Sequence, residues 1–467
     1  MKKNIKFYVT TILVFCFVVC KFSQNISQNI LGAENKKRPN IILIMADDFG
    51  YECVEANGGT SYKTPNLDKL AASGIRFENC FVQPLCTPTR AQLMTGKYNV
   101  RNYTSFGKLD PSQKTFGNFF SDAGYVTGIF GKWQLGRDKD LPKHFGFDTY
   151  TLWQHTRRPP RYANPGLEIQ GNEVNLTNGE YGPQIFIEHV LKFIETNKDK
   201  QFFLYYPMCL THAPFQPTPD SPDWDPKRTG EEYSDKKHFK EMTEFVDKNI
   251  GRIVEKLKTT GLTEKTLIIF LGDNGTGRPI TSQFKNKSYQ GGKGSTTRAG
   301  MHVPLIVSFT GKIKAGEVNT NLIDSTDFLP TIADAAGIEL PQDAERDGIS
   351  FYPQLIGEKS KPREWIYSWF LGTRQAGQES VFSFDKQFKL YRQGEFFDLV
   401  QDPEEKNPLN PDSLNETQKT AKQKLQSVLN RYENARPDWV KPLEKKIETD
   451  KDKKRERRKN KSVSQNL

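Results

Sequence analysis

Four continuous apolar runs of strand length, residues 41–46, 202–206, 266–271 and 303–307, constrain this chain more than any other feature. A run without polar alternation suits a strand buried on both faces, as in a parallel sheet covered by helices. Helical patterns separate the runs, at residues 65–73, 115–123, 183–197, 237–259 and 324–336. That alternation predicts an α/β fold: a large, mostly parallel sheet flanked by helices. Three of the runs are followed by polar residues, Asp47-Asp48 after the first, His212 beyond the second and Asp273-Asn274-Gly275 after the third. Open α/β sheets hold ligands just past the carboxyl ends of their strands. From about residue 365 the texture changes to short alternating runs at 382–384, 388–392 and 395–399, followed by a helical pattern over 414–434 with Ser413 as its N-cap. Residues 153–181, rich in Arg, Pro and Asn, read as an irregular insertion.

The chain's 467 residues can bury a large core plus a smaller one. Lys2, Lys3 and Lys6 precede an apolar stretch from Phe7 to Cys20, too short to span a bilayer and shaped like a secretory leader. Residues 1–33 are therefore read as a signal peptide and the protein as exported, periplasmic or secreted, with no transmembrane segment in the mature chain. A lipid anchor at Cys20 is disfavoured because Val19 is bulky where a small residue is expected. The net charge of +11 is concentrated at the ends: residues 1–33 carry four lysines and no acids, and residues 441–467 carry eleven Lys/Arg against five Asp/Glu. The body between them has a net charge of only +1, and no nucleic-acid module accompanies the basic, disordered-looking tail. With Cys16 and Cys20 leaving in the leader, Cys53, Cys80, Cys86 and Cys209 remain. They do not form a disulfide framework, and only a Cys53–Cys80 bridge stays open.

Cys86-Thr87-Pro88-Thr89-Arg90 gives one of these cysteines a chemical setting. Thr87 can cap a helix, Pro88 suits a first turn, and Gly96 ends the helix that residues 89–95 continue. Cys86 then sits where free amides and the helix dipole converge, an anion site that favours a low-pKa nucleophile. A buried thiol in front of a capped helix is the plainer alternative. Taken one at a time, Asp47 or Asp48 could cap a turn, Asp273-Asn274-Gly275 could be a hairpin turn, and Lys132, Trp133 or His212 could be ordinary loop and core residues.

Together these stretches resemble the type I, formylglycine-dependent sulfatases of the alkaline-phosphatase-like superfamily. The Cys-x-Pro-x-Arg pattern continues into Leu93-Met94-Thr95-Gly96-Lys97-Tyr98, and Asp47-Asp48-Phe49-Gly50 matches the family's Asp-Asp-x-Gly. Gly131-Lys132-Trp133-Gln134-Leu135-Gly136 matches a further motif except for Gln134, which stands where histidine is usual. Thr211-His212-Ala213-Pro214-Phe215 and Gly291-Gly292-Lys293-Gly294 match two more, whereas residues 298–304 depart from the family's run.

The resemblance implies that Cys86 is oxidised by a maturation enzyme to Cα-formylglycine, whose hydrate attacks sulfur and later releases sulfate. It implies a metal on Asp47, Asp48, Asp273 and Asn274 together with modified Cys86. It further implies that Arg90 holds the formylglycine, Lys132 and Lys293 bind sulfate, and His212 protonates the leaving oxygen. Gln134 can hydrogen-bond the substrate side but cannot titrate. An all-oxygen ligand set suits Ca²⁺, with Mg²⁺ as second choice, over zinc. The resemblance also implies a catalytic domain over 34–360, a smaller C-terminal antiparallel sheet subdomain over 361–440 and a tail at 441–467. A sulfated carbohydrate is the expected substrate, with His155, Arg157, Arg158 and Arg161 of the insertion as its wall and Trp153 or Tyr162 stacking on a sugar; a solvated, Pro-stiffened loop is the other reading. Two rival functions remain open: a phosphodiester or phosphonate hydrolase of the same superfamily, and a non-catalytic sulfated-glycan-binding protein with unmodified Cys86.

Overall fold

Sixteen strands organise a computed structural model that describes residues 38–440, apart from 226, 228–232, 343–344 and 373–378. The proposed leader with Cys16 and Cys20, and the basic tail, lie outside the described residues. In chain order the strands are β1 (Asn40–Ala46), β2 (Ile75–Phe81), β3 (Val126–Gly131), β4 (Thr149–Trp153), β5 (Gly166–Ile169), β6 (Asn172–Asn175), β7 (Phe202–Pro207) and β8 (Thr266–Gly272). They continue as β9 (Thr281–Phe284), β10 (Lys287–Gln290), β11 (His302–Ser308), β12 (Glu317–Asp324), β13 (Ile366–Leu371), β14 (Glu379–Phe384), β15 (Phe388–Tyr391) and β16 (Phe396–Asp398). The helices of seven or more residues are α1 (Pro65–Ala72), α2 (Cys86–Thr95), α3 (Phe116–Asp122), α4 (Gly182–Thr196), α5 (Phe239–Thr259), α6 (Phe328–Ala335) and α7 (Glu416–Arg431).

Ten strands form one sheet in the order β12-β2-β11-β8-β1-β7-β3-β4-β5-β6, β9 and β10 pair separately, and β13 to β16 make an antiparallel four-stranded sheet. The central strands β8, β1, β7, β3 and β4 are parallel, and β2 and β12 are parallel to each other. Every residue of β1 is buried, and its side chains alternate between two cores. Ile41, Leu43 and Met45 join the face that carries α2, α3 and α6, while Ile42, Ile44 and Ala46 join the face that carries α1, α4 and α5. On α5, Met242, Phe245, Val246, Ile250, Ile253 and Leu257 recur at helical spacing and are buried. Burying each such side chain stabilises the fold by roughly 1.5–3 kcal/mol.

Several expectations are corrected. The run at 303–307 is a strand, β11, but it runs antiparallel to β8 and β2, and the chain reaches it from β8 through the β9–β10 hairpin rather than a crossover helix of the parallel kind. The insertion at 153–181 is not irregular throughout: β5 and β6 extend the sheet antiparallel beyond β4. Both are only four residues long, and neither the buried GLEI of β5 nor the mostly exposed NEVN of β6 carries a continuous apolar run, so the pattern was hard to see. The C-terminal helix spans Glu416–Arg431, capped by Asn415, whose side chain accepts the Gln418 amide in a capping box; Ser413 instead ends a preceding short turn. The four described cysteines are all free. Cys53 and Cys80 sit in the cores on opposite faces of the large sheet, which separates them.

The described residues from Asn40 onward belong to one compact unit. The four-stranded sheet joins the larger one through Tyr98, whose ring meets Tyr367 of β13 edge-on at 5.3 Å, and through buried Arg363. Arg363 donates to Asp327, which it also ion-pairs, and to the Tyr98 hydroxyl at 2.8 Å.

Candidate active site

Because β1, β3, β7, β8 and β2 point the same way, the segments leaving their carboxyl ends converge at one edge of the sheet. Asp47 and Asp48 leave β1, Lys132 and Gln134 leave β3, His212 leaves the loop after β7, and Asp273 and Asn274 leave β8. From β2 the chain turns through Gln83 and Leu85 into α2, whose first residue is Cys86. Thr87 is therefore not the cap expected from sequence: Leu85 occupies that place without a side-chain bond, and the Thr87 hydroxyl accepts the Gly107 amide at 3.0 Å. Every residue of α2 is buried, which explains its lack of an amphipathic stripe. Gly96 ends it in a left-handed conformation, φ 67°.

The carboxylates and cations interlock. Lys132 donates to Asp47, and Lys293 donates to Asp48 at 2.7 Å. Arg90 donates to Asp273 at 3.0 Å and to the Lys132 carbonyl at 2.8 Å, while Asn274 Nδ2 donates to Asp48 at 2.9 Å. The Asp48 amide donates to Asp273 at 3.0 Å, and Gln134 Nε2 donates to Cys86 Sγ at 3.0 Å. Asp48 and Gln134 both hold positive φ, at 60° and 57°, conformations that non-glycine residues keep only where surrounding contacts fix them. Gly50 is needed for space: a β-carbon there would lie 2.3 Å from the Glu52 carboxyl.

These contacts set the protonation states. Burial alone would raise Asp47, but Lys132, His212, Arg90 and Lys293 hold it well below the ordinary carboxylate range. Asp273 moves upward, driven by burial and then by the adjacent Asp47. Burial pushes the Cys86 thiol up, with Lys132 and Lys293 only partly opposing it, which corrects the expectation of a low-pKa thiolate. Position 86 thus gains no nucleophilicity as a cysteine. Burial also lowers His212, to about 3, against the pull of Asp48 and Asp47. Its Nδ1 donates to the Ala213 carbonyl at 2.6 Å, leaving Nε2 as the ring's other polar atom.

A cation fits the site. Asp47 Oδ1 and Asn274 Oδ1 are buried without a hydrogen-bond partner, a costly state that a hard cation would relieve. Cys86 Sγ and carboxylate oxygens of Asp47 and Asp273 lie within 4.8 Å of one another, as do ligand atoms of Asp47, Asp48 and His212.

The expected wall divides. Arg158 and Arg161 are partly buried on the site's side, whereas Arg157 is turned outward, with its guanidinium on Glu173 at 3.0 Å and Asn175 at 3.3 Å. His155 is buried, bonded to the Asp138 carbonyl at 3.0 Å and 3.2 Å from Glu168. Trp153 and Tyr162 are also buried, so neither presents a free face for stacking on sugar. Sequence reading missed Thr211, whose hydroxyl donates to the Asp47 or Asp48 carbonyl at 3.2–3.3 Å. It also missed Glu52, a buried carboxyl bonded to the Thr276 hydroxyl at 2.5 Å. Their neighbouring motifs were the only signals available.

Comparison with known proteins places this geometry in context. Residues 39–338 match the sulfatase family model, and residues 295–431 match the model for the C-terminal part of N-sulphoglucosamine sulphohydrolase. Human arylsulfatase A is 32% identical over 381 residues, covering 72% of this chain and 71% of that protein. N-acetylgalactosamine-6-sulfatase of Canis lupus familiaris is 30% identical over 373 residues, covering 72% and 70%. A solved structure of a protein in complex with its substrate D-glucosamine-2-N,6-O-disulfate superposes with TM-score 0.71 at 23% identity, covering 86% of this chain and 99% of that one.

Proposed function

The chain belongs to the sulfatase family and is a sulfuric ester hydrolase, and we propose that it cleaves sulfate monoesters of a sulfated glycan with a formylglycine formed from Cys86 and one bound Ca²⁺. The observation that carries this reading is the placement of Cys86 Sγ among the oxygens of Asp47 and Asp273, at the first turn of a buried helix. Asp47, Asp48, Asp273 and Asn274 would hold the cation, with Mg²⁺ as the second candidate. When present, the hydrated aldehyde supplies a hydroxyl nucleophile, and the cation lowers that hydroxyl's pKa and offsets charge on a sulfate oxygen.

The chain's own residues do the rest. Arg90, bonded to Asp273 and the Lys132 carbonyl, fixes the base of α2 beneath position 86. Lys132 and Lys293 neutralise Asp47 and Asp48 here; a cation on those carboxylates would free both ammonium groups for sulfate oxygens. Gln134 keeps a hydrogen bond on position 86 at every pH, since an amide does not titrate. His212 Nε2 faces the leaving oxygen in this reading, held by the Nδ1 bond to Ala213. Donating a proton there requires the imidazolium form, which an anionic substrate favours.

Export through a leader at residues 1–33, and maturation by a separate formylglycine-generating enzyme, belong to the same proposal. Among the described residues no helix is long and apolar enough to cross a membrane.

The test is sulfate release from defined sulfated sugars, with phosphate and sulfate aryl esters run side by side. Peptide mass spectrometry of the active protein should find the sulfur of residue 86 replaced by oxygen, as an aldehyde. Cys86→Ala should abolish turnover with little change in Tm. Full activity from protein carrying only cysteine at 86, or preference for the phosphate ester, overturns the proposal.

A further inference from the structure

Three arginines stand beside the site without a carboxylate partner, Arg158 and Arg161 half-buried and Arg137 exposed. Among the described residues, no carboxylate lies within ion-pair distance of Arg137, Arg158 or Arg161, whereas neighbouring Arg157 is saturated by Glu173 and Asn175. The Arg161 guanidinium carbon lies over the Trp153 ring, 4.2 Å from its centroid, and its Nη1 is buried with no hydrogen-bond partner. The next residue, Tyr162, donates its hydroxyl to the Cys209 carbonyl at 2.9 Å and to the His212 carbonyl, which ties the Arg161 segment to the His212 loop. Arg158 is held at φ 61° with its amide on the Gln154 carbonyl at 3.0 Å. Its Nη2 lies 3.0 Å from where a β-carbon on Gly107 would stand, and the Gly107 amide bonds the Thr87 hydroxyl beside Cys86. Arg137 leaves the Lys132 motif on a segment pinned to the Arg158 loop, because His155 donates to the Asp138 carbonyl at 3.0 Å.

Unpaired guanidinium groups set close together repel one another, and an oxyanion placed between them would remove that cost through charge-assisted hydrogen bonds. Their mutual effect is felt: burial and then Arg137 disfavour the charge on Arg158, and Arg161 adds to it. The scissile sulfate already has Lys132 and Lys293, so the arginines call for a different anionic group.

We propose that Arg137, Arg158 and Arg161 form a second anion subsite beside the scissile-sulfate position, which receives a further sulfate or carboxylate of the same glycan. The substrate class is thereby narrowed to sugars bearing at least two anionic groups close together. Planar guanidinium forks match both sulfate and carboxylate, so the shared chemistry is an oxyanion. His155 and Trp153 act as positioning residues, one locking the Arg137 segment and the other supporting Arg161. This inference rests on the sulfatase reading for the identity of the first anion, and its test is built to fail separately.

Binding is measured by calorimetry on Cys86→Ala protein saturated with Ca²⁺, so that turnover plays no part. Two matched pairs serve as probes: glucosamine N,6-disulfate against N-acetylglucosamine 6-sulfate, and a sulfated uronate-containing disaccharide against its uronate methyl ester. In at least one pair the doubly anionic member should bind about tenfold more tightly, and that pair identifies the second group as sulfate or carboxylate. Arg158→Ala combined with Arg161→Gln should collapse the ratio within that pair toward one, while Arg157→Ala should preserve it and an unchanged Tm should confirm folding. Equal affinities within both pairs, or a ratio that survives the double substitution, overturn the subsite. Loss of the sulfatase reading would register elsewhere, as no sulfate release from formylglycine-bearing wild type whatever the binding ratio.

Discussion

Desolvation shifts two side chains near the proposed cation site, half-buried His212 downward and buried Glu52 upward, and each yields a measurement. His212 is held neutral by burial, with its Nδ1 committed to Ala213. If its Nε2 serves the leaving oxygen, His212→Ala should slow hydrolysis of a sugar sulfate by roughly 10²–10⁴-fold, in line with general acid catalysis. An activated aryl sulfate, whose leaving group needs no proton, should lose far less. Equal losses would assign the ring to sulfate binding or to loop structure. Glu52 is pushed up to about 7, by burial against the weaker pull of its bond to Thr276. In the unfolded chain it titrates near its ordinary 4.5. Between those values the folded state keeps a proton that the unfolded state has lost, so stability falls as pH rises from about 4.5 to 7 and then levels. Glu52→Gln removes that dependence, an effect on the order of 3 kcal/mol at most. Urea titrations at pH 5 and pH 8 should show the variant gaining on wild type at the higher pH. A wild-type-minus-variant difference that is the same at both would count against a protonated Glu52.

Among the elements, what the sequence disclosed depended on burial symmetry. β1, β7 and β8 are buried along their whole length, so continuous apolar runs marked them, and the polar residues at their ends marked the site. Asp47, Asp48, Cys86, Arg90, Lys132, His212, Asp273, Asn274 and Lys293 were legible because each belongs to a short local motif. β5 and β6 were hidden because each is four residues long and interrupted by Gly166 and Glu168 or by polar, mostly exposed residues, and β2 because Arg76, Glu78 and Asn79 break its apolar pattern. The outward turn of Arg157 depends on Glu173, across the β5–β6 hairpin, a contact no linear pattern encodes.

Helix α1 shows the same limit. Thr64 offers it no side-chain cap, and buried Asp247 from α5 accepts the Asn66 and Leu67 amides at 3.0 and 2.8 Å instead. A carboxylate at that end also meets the positive end of the helix dipole. Asp247→Ala leaves these donors unsatisfied and should cost about 2 kcal/mol. A drop in the urea midpoint without a change in m checks it, and an unchanged midpoint would mean that water replaces the carboxylate.

Across the whole molecule, the site is the place where the fold spends charge. Asp47, Asp48 and Asp273 face Arg90, Lys132 and Lys293, so the buried set is formally balanced as it stands. A divalent cation makes it net positive, which is what an anionic ester requires, and satisfies the orphan oxygens of Asp47 and Asn274. Since the proposed ligands follow β1 and β8 and include the position heading α2, a cation there would crosslink segments far apart in sequence. Binding only the folded state, it should raise stability by about 2.7 kcal/mol at a hundredfold excess over Kd. Elemental analysis of protein purified without added metal should find one calcium per chain. A chelator should lower Tm by a few degrees, reversed by Ca²⁺ and less well by Mg²⁺. Asn274→Ala should remove most of that calcium-dependent shift. Asp223→Ala should retain it, because the Asp223–His238–Glu241 cluster is the other acidic group among the described residues with metal-ligand spacing and is bonded internally at 2.8 Å between His238 and Glu241. Two zinc ions per chain, or a calcium response that follows Asp223 rather than Asn274, would move the cation away from Cys86 and take the proposed chemistry with it.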